Sequence, residues 1–158
     1  EAQWAIGSMY RWGYGVLKDY SKAAKWFEKS GNQSHARSSA QLASMYWWGE
    51  GFGGKWSTKN AKTSFQWWKK AAEQGDIIAM YKVGLLYARG AVVPQNKSQA
   101  KKWFNLAYSL APSDLKQSSM AKYTLLKDIE IANDSMEGGY FDEPSNIRLY
   151  MGNGMGWY

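Results

Sequence analysis

Residues 2–27, AQWAIGSMYRWGYGVLKDYSKAAKWF, decide the fold because the chain repeats this stretch, imperfectly, twice more. Three tyrosines recur at intervals of 36 and 41 residues: Tyr10, Tyr46 and Tyr87. Three tryptophans recur at intervals of 41 and 36 residues: Trp26, Trp67 and Trp103. The two series agree if the second copy carries five extra residues between its tyrosine and its tryptophan, around residues 53–57. A period of this length predicts an array of structural repeats.

Each copy is predicted to form two helices joined by a turn. In the first helix of copy one, Ile6, Gly7 and Tyr10 place an apolar, a small and an aromatic residue on one helical stripe. The small residue lets a second helix approach closely. A glycine three residues after each tyrosine is expected to end the helix, because glycine accepts the left-handed conformation. These glycines are Gly13, Gly49 and Gly90.

The second helix of each copy is predicted to begin at a capping residue and to carry a large ring. A residue that can cap a helix stands seven positions before each tryptophan: Asp19, Asn60 and Asn96. A large aromatic residue follows each tryptophan: Phe27, Trp68 and Phe104. Gly31 is expected to interrupt the end of the second helix in copy one.

Together these positions resemble the Sel1-like repeat (SLR) family, relatives of the tetratricopeptide repeats. The family pattern is A-x3-L-G-x2-Y-x2-G-x-G-V, then D-x3-A-x2-W-(F/Y)-x-K-A-A-x-Q-G. Copy one matches it at Gly7, Tyr10, Gly13 and Trp26, and the KAAEQG ending stands unbroken at residues 70–75. The resemblance implies an all-α fold, namely a right-handed α-solenoid of three helix-turn-helix repeats, and a role in binding other proteins.

The chain after the third copy is expected to cap the stack. Tyr123 continues the register, so a longer helix is predicted from about residue 114 to Gly139. We therefore predict one domain over residues 1–139, ending in this capping helix, and an irregular aromatic and glycine-rich tail over residues 140–158.

The charge of the chain is +7 and its pI is near 9.5, with no cysteine. Many of the lysines fall on the predicted second helices, which favours a solvated outer face over an anionic partner. These lysines are Lys22, Lys25, Lys29, Lys62, Lys69, Lys70, Lys101 and Lys102. No apolar run is long enough to span a membrane. The chain begins without methionine, so we expect a processed or trimmed piece. A bacterial periplasmic, secreted or envelope setting is favoured over the cytoplasm.

Residue types that carry out catalysis are scarce. His35 is the only histidine and is interpreted as a polar loop residue near a helix start. No cluster of histidine and cysteine can bind zinc, and the glycines at 49, 51, 53 and 54 lack the strand and the GK[ST] of a phosphate loop. We therefore expect neither an enzyme nor a cofactor or metal site.

The candidate site is the concave face. By similarity to the tetratricopeptide layout, positions six and two before each tyrosine, and one and two after it, face a groove. The candidates are Trp4, Ser8, Arg11, Trp12, Ser44, Trp47, Trp48, Tyr81, Leu85 and Arg89. Their indoles could equally form the core between repeats, and Trp56, in the insertion, could reach a partner or fold onto its own repeat.

Two classes of function remain open. The first is a protein or peptide binder, expected to be monomeric in isolation; the resemblance implies a bacterial adaptor, an envelope-associated or virulence-associated protein, or a protein that neutralises a toxin. The second is a nucleic-acid-binding helical repeat, which the net charge and the indoles favour. Against it, no repeated pair of base-reading residues is present.

Overall fold

The computed structural model describes residues 1–55 and 57–112, which form six α-helices and no strands. The helices are α1 (Ala2–Trp12), α2 (Tyr20–Asn32), α3 (Ala36–Trp48), α4 (Thr58–Glu73), α5 (Ile77–Arg89) and α6 (Lys97–Leu110). Each repeat copy contributes one pair, so the prediction of an all-α helical-repeat solenoid is confirmed. The predicted capping helix, the tail at 140–158 and Trp56 lie outside the described residues.

The described residues divide into two compact units, with the boundary after Val83, inside α5. In the first unit α1 packs against α2, α2 against α3, and α3 against α4. Consecutive helices are therefore neighbours in space, as expected for helical hairpins in series. The predicted domain boundary at residue 139 stays a prediction.

Glycines end the first helices at the predicted positions. Gly13 and Gly49 adopt left-handed backbone conformations, with φ of 77° and 73°, and Gly90 has φ of 66°. The N–H of Gly13 donates to the carbonyl of Met9 at 2.8 Å, which satisfies one of the carbonyls that a helix end leaves free.

Two of the three predicted N-caps are confirmed. Asp19 accepts the backbone N–H of Lys22, and Asn96 that of Gln99, each at 2.9 Å. This bond from Lys22 holds the pKa of Asp19 below its ordinary value. The stability that it contributes is present at neutral pH and is lost as the pH falls through that lowered pKa.

The prediction that Asn60 caps α4 is wrong. Ser57 is the cap, and its hydroxyl accepts the backbone N–H of Asn60 at 3.1 Å. The five-residue insertion ends in this serine, so α4 begins a turn earlier than the period of the other copies indicates. Asn60 instead donates from Nδ2 to the carbonyl of Phe52 at 3.1 Å, which fixes the insertion loop to α4.

Close contact between a glycine and an aromatic ring brings the two helices of a repeat together. A Cβ atom added to Gly7 would lie 2.7 Å from the Phe27 ring, and one added to Gly84 would lie 2.6 Å from the Phe104 ring. Real Cβ atoms do not approach carbon this closely, so the two positions require glycine. The predicted small-against-large packing is confirmed in copies one and three.

Gly31 does not interrupt α2, contrary to expectation. The helix runs on to Asn32, and a Cβ at Gly31 would lie 2.8 Å from the hydroxyl of Ser39 and 3.1 Å from the Trp67 ring. This glycine is therefore a contact point where α3 and Trp67 approach α2, and its role is in packing rather than in ending the helix.

The core of the first unit lies between copies one and two. Its buried members are Ala23, Ala24, Phe27, Leu42 and Met45, and half-buried aromatic residues surround them. These residues come from α2 and α3, so the second helix of one copy and the first helix of the next bury each other's apolar faces.

Replacing Gly7 by valine tests the glycine–ring contact. We expect Gly7→Val to lower the free energy of unfolding by about 3 kcal/mol, because the buried Phe27 ring has no room to move. Ala5→Val, at an exposed position of the same helix, controls for the helix propensity of valine and should cost under about 1 kcal/mol. Urea denaturation measures both values, and equal losses would contradict the packing role.

Candidate functional site

The predicted site residues lie on the three first helices, α1, α3 and α5, but differ in exposure. Trp48 is 57% exposed. Half-buried are Trp4, Ser8, Trp12, Trp47 and Arg89. Buried are Arg11, Ser44, Tyr81 and Leu85. The buried residues offer a partner little surface, so these four candidates serve mainly in packing, and binding by the others stays a prediction.

Arg11 ties the first copy to the second. It is 2% exposed, and its Nε donates to Oε2 of Glu50 at 2.8 Å. The other guanidinium nitrogens donate to Oε1 of Gln41 and, at 3.2 Å, to the hydroxyl of Ser44. Arg11 belongs to α1 and its three partners to α3 and the turn that follows, so one side chain connects two repeats.

The burial of Arg11 has an electrostatic consequence. Removal from water lowers the pKa of Arg11 from its ordinary value, and the negative charge of Glu50 opposes this shift. An arginine nevertheless stays charged in a protein, so the guanidinium depends on its buried acceptors. The guanidinium of Arg11 and the hydroxyl of Ser44 therefore form their hydrogen bonds inside the protein, in part with each other.

Two further candidates, Tyr81 and Leu85 of α5, are also buried. Tyr81 stands six positions before Tyr87, at the repeat position that Trp4 occupies in copy one. Leu85 stands two positions before Tyr87, where a leucine side chain is readily used for packing.

At the start of α1, Trp4 and Ser8 lie one helical turn apart. The indole Nε1 of Trp4 and the hydroxyl of Ser8 are buried atoms that have no hydrogen-bond partner. The guanidinium of Arg37, from α3, lies 4.9 Å from the centre of the Trp4 ring. Trp4 is thus covered on one side by a residue of the second copy and stays half-buried.

At the end of α1 and α3, Trp12 and Trp48 occupy equivalent positions, two residues after the tyrosine of their copies. The Arg11 guanidinium lies 4.8 Å from the centre of the Trp12 ring, which fixes that indole from one side. Trp48 is the last residue of α3 and projects into solvent. The accessible part of the predicted face is therefore concentrated at these helix ends.

His35 is more than a polar loop residue, since it caps α3. Its Nδ1 accepts the backbone N–H of Ser38 at 3.2 Å and lies 2.9 Å from the Ser38 hydroxyl. Its Nε2 lies 3.1 Å from Oε1 of Glu1, and this hydrogen bond lowers the pKa of Glu1. A serine beside a histidine can act as a nucleophile, but Ser38 is fully buried and contacts the hydroxyl of Ser30. The arrangement is structural.

Many lysines of the second helices lie in solvent, as predicted for an outer face, and several cover aromatic rings of their own repeat. Lys70 lies 4.7 Å from the Trp67 ring, and Lys29 lies 5.5 Å from the Trp26 ring. The same lysine–tryptophan spacing recurs in copies one and two. These cations stabilise the surface of the repeat by cation–π contact.

Within residues 1–55 and 57–112, no three acidic or histidine side chains gather where a metal ion could bind. None of the described helices is both long and apolar enough to cross a bilayer.

Replacing Arg11 by methionine tests the tie between copies. We expect Arg11→Met to lower the free energy of unfolding by about 3 kcal/mol, because it leaves Glu50, Gln41 and Ser44 without their donor. Lys25→Met, at an exposed position of α2, is the matched control and should change stability by under about 0.5 kcal/mol. Chemical denaturation measures the free energy of unfolding of both variants. If Arg11→Met loses no more stability than the control, the hydrogen bonds of Arg11 are not needed to join the two copies.

Three copies of the Sel1 repeat match this chain, at residues 1–35, 36–76 and 77–112. No curated protein sequence matches it.

Two solved structures are similar in fold. A Sel1 repeat protein from Oxalobacter formigenes aligns with a TM-score of 0.65 at 22% identity, over 84% of this chain and 56% of that one. A protective antigen present in uropathogenic Escherichia coli strains, displaying an SLR fold, aligns with a TM-score of 0.61 at 23% identity, over 84% and 30%. The chain thus spans about half the length of the first relative and less than a third of the second. Since the matched copies cover well over half of its length, the chain belongs to the Sel1 repeat family, whose non-catalytic helical scaffolds generally mediate protein–protein interactions.

Proposed function

We propose that this chain is a non-catalytic interaction module that binds a protein or peptide through a tryptophan face. This face consists of Trp4, Ser8, Trp12, Trp47 and Trp48, the α1 and α3 candidates that are not buried. The observation that carries the proposal is the exposure of Trp48 at the end of α3. A large indole left in solvent by a compact repeat is the kind of side chain that dominates binding energy at interfaces.

The face is preorganised, which supports a binding role. Arg11 holds Trp12 from behind and is itself held by Glu50, so the last turns of α1 and α3 are fixed relative to each other. A partner that docks here does not have to order these elements. Less conformational entropy is then lost on binding, and more of the contact energy appears as affinity.

Two groups of the first unit that could serve acid–base chemistry have structural roles. His35 caps a helix through Nδ1, and Glu50 pairs with Arg11. These structural roles of His35 and Glu50 are more consistent with a scaffold than with a catalytic site. The bacterial sources of the two solved relatives support placing the chain among bacterial adaptors, envelope-associated or virulence-associated proteins, or proteins that neutralise toxins.

A nucleic-acid partner is the second candidate, and the net charge of +7 favours it. The arrangement of the cations supports it less well. Arg11 is paired in the interior, and Lys29 and Lys70 lie over rings of their own repeat. Binding to phosphates would draw on dispersed lysines rather than on a built groove.

Truncation of Trp48 tests the tryptophan face. Peptides selected from a phage-displayed random library against the wild-type chain serve as probes, and we expect Trp48→Ala to weaken their binding about 30-fold. Leu110→Ala removes an exposed apolar side chain from α6 and should leave affinity unchanged. Fluorescence anisotropy measures both affinities. The absence of any selected binder, or equal affinity for wild type and Trp48→Ala, would refute the proposal.

Binding to a single-stranded oligonucleotide at about 50 mM and about 200 mM salt separates the two candidates. A protein-binding module should bind it weakly and without base preference at either concentration. Tight binding that falls steeply with salt would favour the nucleic-acid function instead.

A further inference from the structure

Several large apolar side chains of the first unit are exposed near the ends of the first helices. Among the described residues of the first unit, 1–55 and 57–83, the exposed large hydrophobic residues are Met9, Tyr14, Leu17 and Trp48. Tyr14 is 66% exposed and Leu17 is 92% exposed. All four lie in the last turn of a first helix or in the loop that follows it. We call residues 9–19 and 48–55 the loop edge.

Both parts of the loop edge lie on the same side of the repeats. Arg11 near the end of α1 bonds to Glu50 just beyond the end of α3, so the two helix ends are adjacent. A Cβ on Gly51 would lie 3.2 Å from the backbone of Tyr20, which shows that the second loop contacts the start of α2. The chain segments that carry Tyr14, Leu17 and Trp48 are therefore neighbours.

The loop edge is held in shape. The Phe52 ring stacks on Tyr46 with centroids 3.8 Å apart, and Asn60 donates to the Phe52 carbonyl. The N–H of Gly54 donates to the carbonyl of Gly49 at 2.9 Å, and a Cβ on Gly49 would collide with the backbone of Lys55. Apolar side chains that remain exposed on a fixed loop are not explained by the folding of the loop itself.

Both exposed charged residues of the loop edge are lysines. The acids of the loop edge are Asp19 and Glu50, and both are engaged: Asp19 with Lys22 and Glu50 with Arg11. Lys18 and Lys55 are exposed. Each lies against the glycine that ends a first helix: Lys18 beside Gly13, Lys55 beside Gly49. Copies one and two therefore each place an exposed lysine against the glycine that ends the first helix.

We propose that the loop edge binds an acidic segment of a protein partner. An aromatic or aliphatic side chain of that segment packs on Tyr14, Leu17 and Trp48, and its flanking carboxylates face Lys18 and Lys55. The inference rests on the proposed function and names the chemistry of the partner. Charge complementarity around an apolar anchor orients the acidic segment as it approaches, and it disfavours the binding of basic segments.

A protein fits this edge better than other polyanions do. Leu17 is the most exposed of its apolar residues and has no ring on which a base could stack, whereas it can pack against an apolar side chain. The family to which the chain belongs also generally binds proteins.

The test uses fluorescein-labelled peptides of about twelve residues and the full chain, with anisotropy as the readout. One peptide carries a central Leu-Phe pair flanked by aspartate and glutamate, and the other carries lysine in place of every acid. We expect the acidic peptide to bind at least about 10-fold more tightly. Equal affinity for the two peptides would overturn the proposal.

Charge reversal at the edge provides the decisive variant. We expect the double variant K18E/K55E to weaken binding of the acidic peptide at least about 10-fold. The matched control K25E/K62E makes the same change of net charge at exposed positions of α2 and α4, and should weaken it under about 2-fold. Equal losses in the two variants would show an effect of net charge alone and refute a site.

Three other results separate this inference from the proposed function. Library peptides that depend on Trp48 but not on Lys18 and Lys55 would overturn the acidic partner and leave the tryptophan face standing. Vesicles of phosphatidylcholine and phosphatidylserine, and an oligonucleotide, are tested in the same way. If either binds more tightly than the acidic peptide and is weakened by K18E/K55E, the edge is assigned to a membrane or a nucleic acid instead. Insensitivity of the acidic peptide to Leu17→Ser would remove the apolar anchor and overturn the proposal.

Discussion

The two helices of one repeat approach closely because glycine, which has no side chain, lies at their contact. Gly7 faces the Phe27 ring and Gly84 faces the Phe104 ring at distances that admit no Cβ atom. The ring fills the space between helices, and the glycine lets the helix backbone reach it. Phe27 also belongs to the core that joins copy one to copy two. The contact within the repeat therefore positions a residue on which the contact between repeats depends.

A second, polar constraint acts between copies. Arg11 crosses from α1 to α3 and bonds to side chains on both α3 and the turn after it. Apolar packing alone tolerates small shifts of one helix against another, whereas the hydrogen bonds of a guanidinium to fixed acceptors require defined directions. This bond network sets the ends of the first helices side by side, and those ends carry Trp12 and Trp48.

The surface follows from these two constraints. Packing uses the middle of the first helices, which buries Ser44, Tyr81 and Leu85. Side chains beyond the last packed turn remain in solvent, and in copies one and two they are aromatic or aliphatic with a lysine nearby. In copies one and two the side chains that packing leaves exposed therefore lie at the ends of the first helices rather than along their middle.

The sequence by itself determined the repeat, the order of helices and most of their ends. Glycine and the capping residues Asp19 and Asn96 act within a few residues of chain, so their effect can be read locally. The start of α4 was missed because Ser57 lies in the insertion, where the period no longer applies. Only the tertiary structure decided that Arg11 is buried, that Gly31 is a contact point and that Trp48 is exposed. Each of these depends on which residues of another copy lie opposite, and periodicity places a residue on a face of its own helix without showing what covers that face.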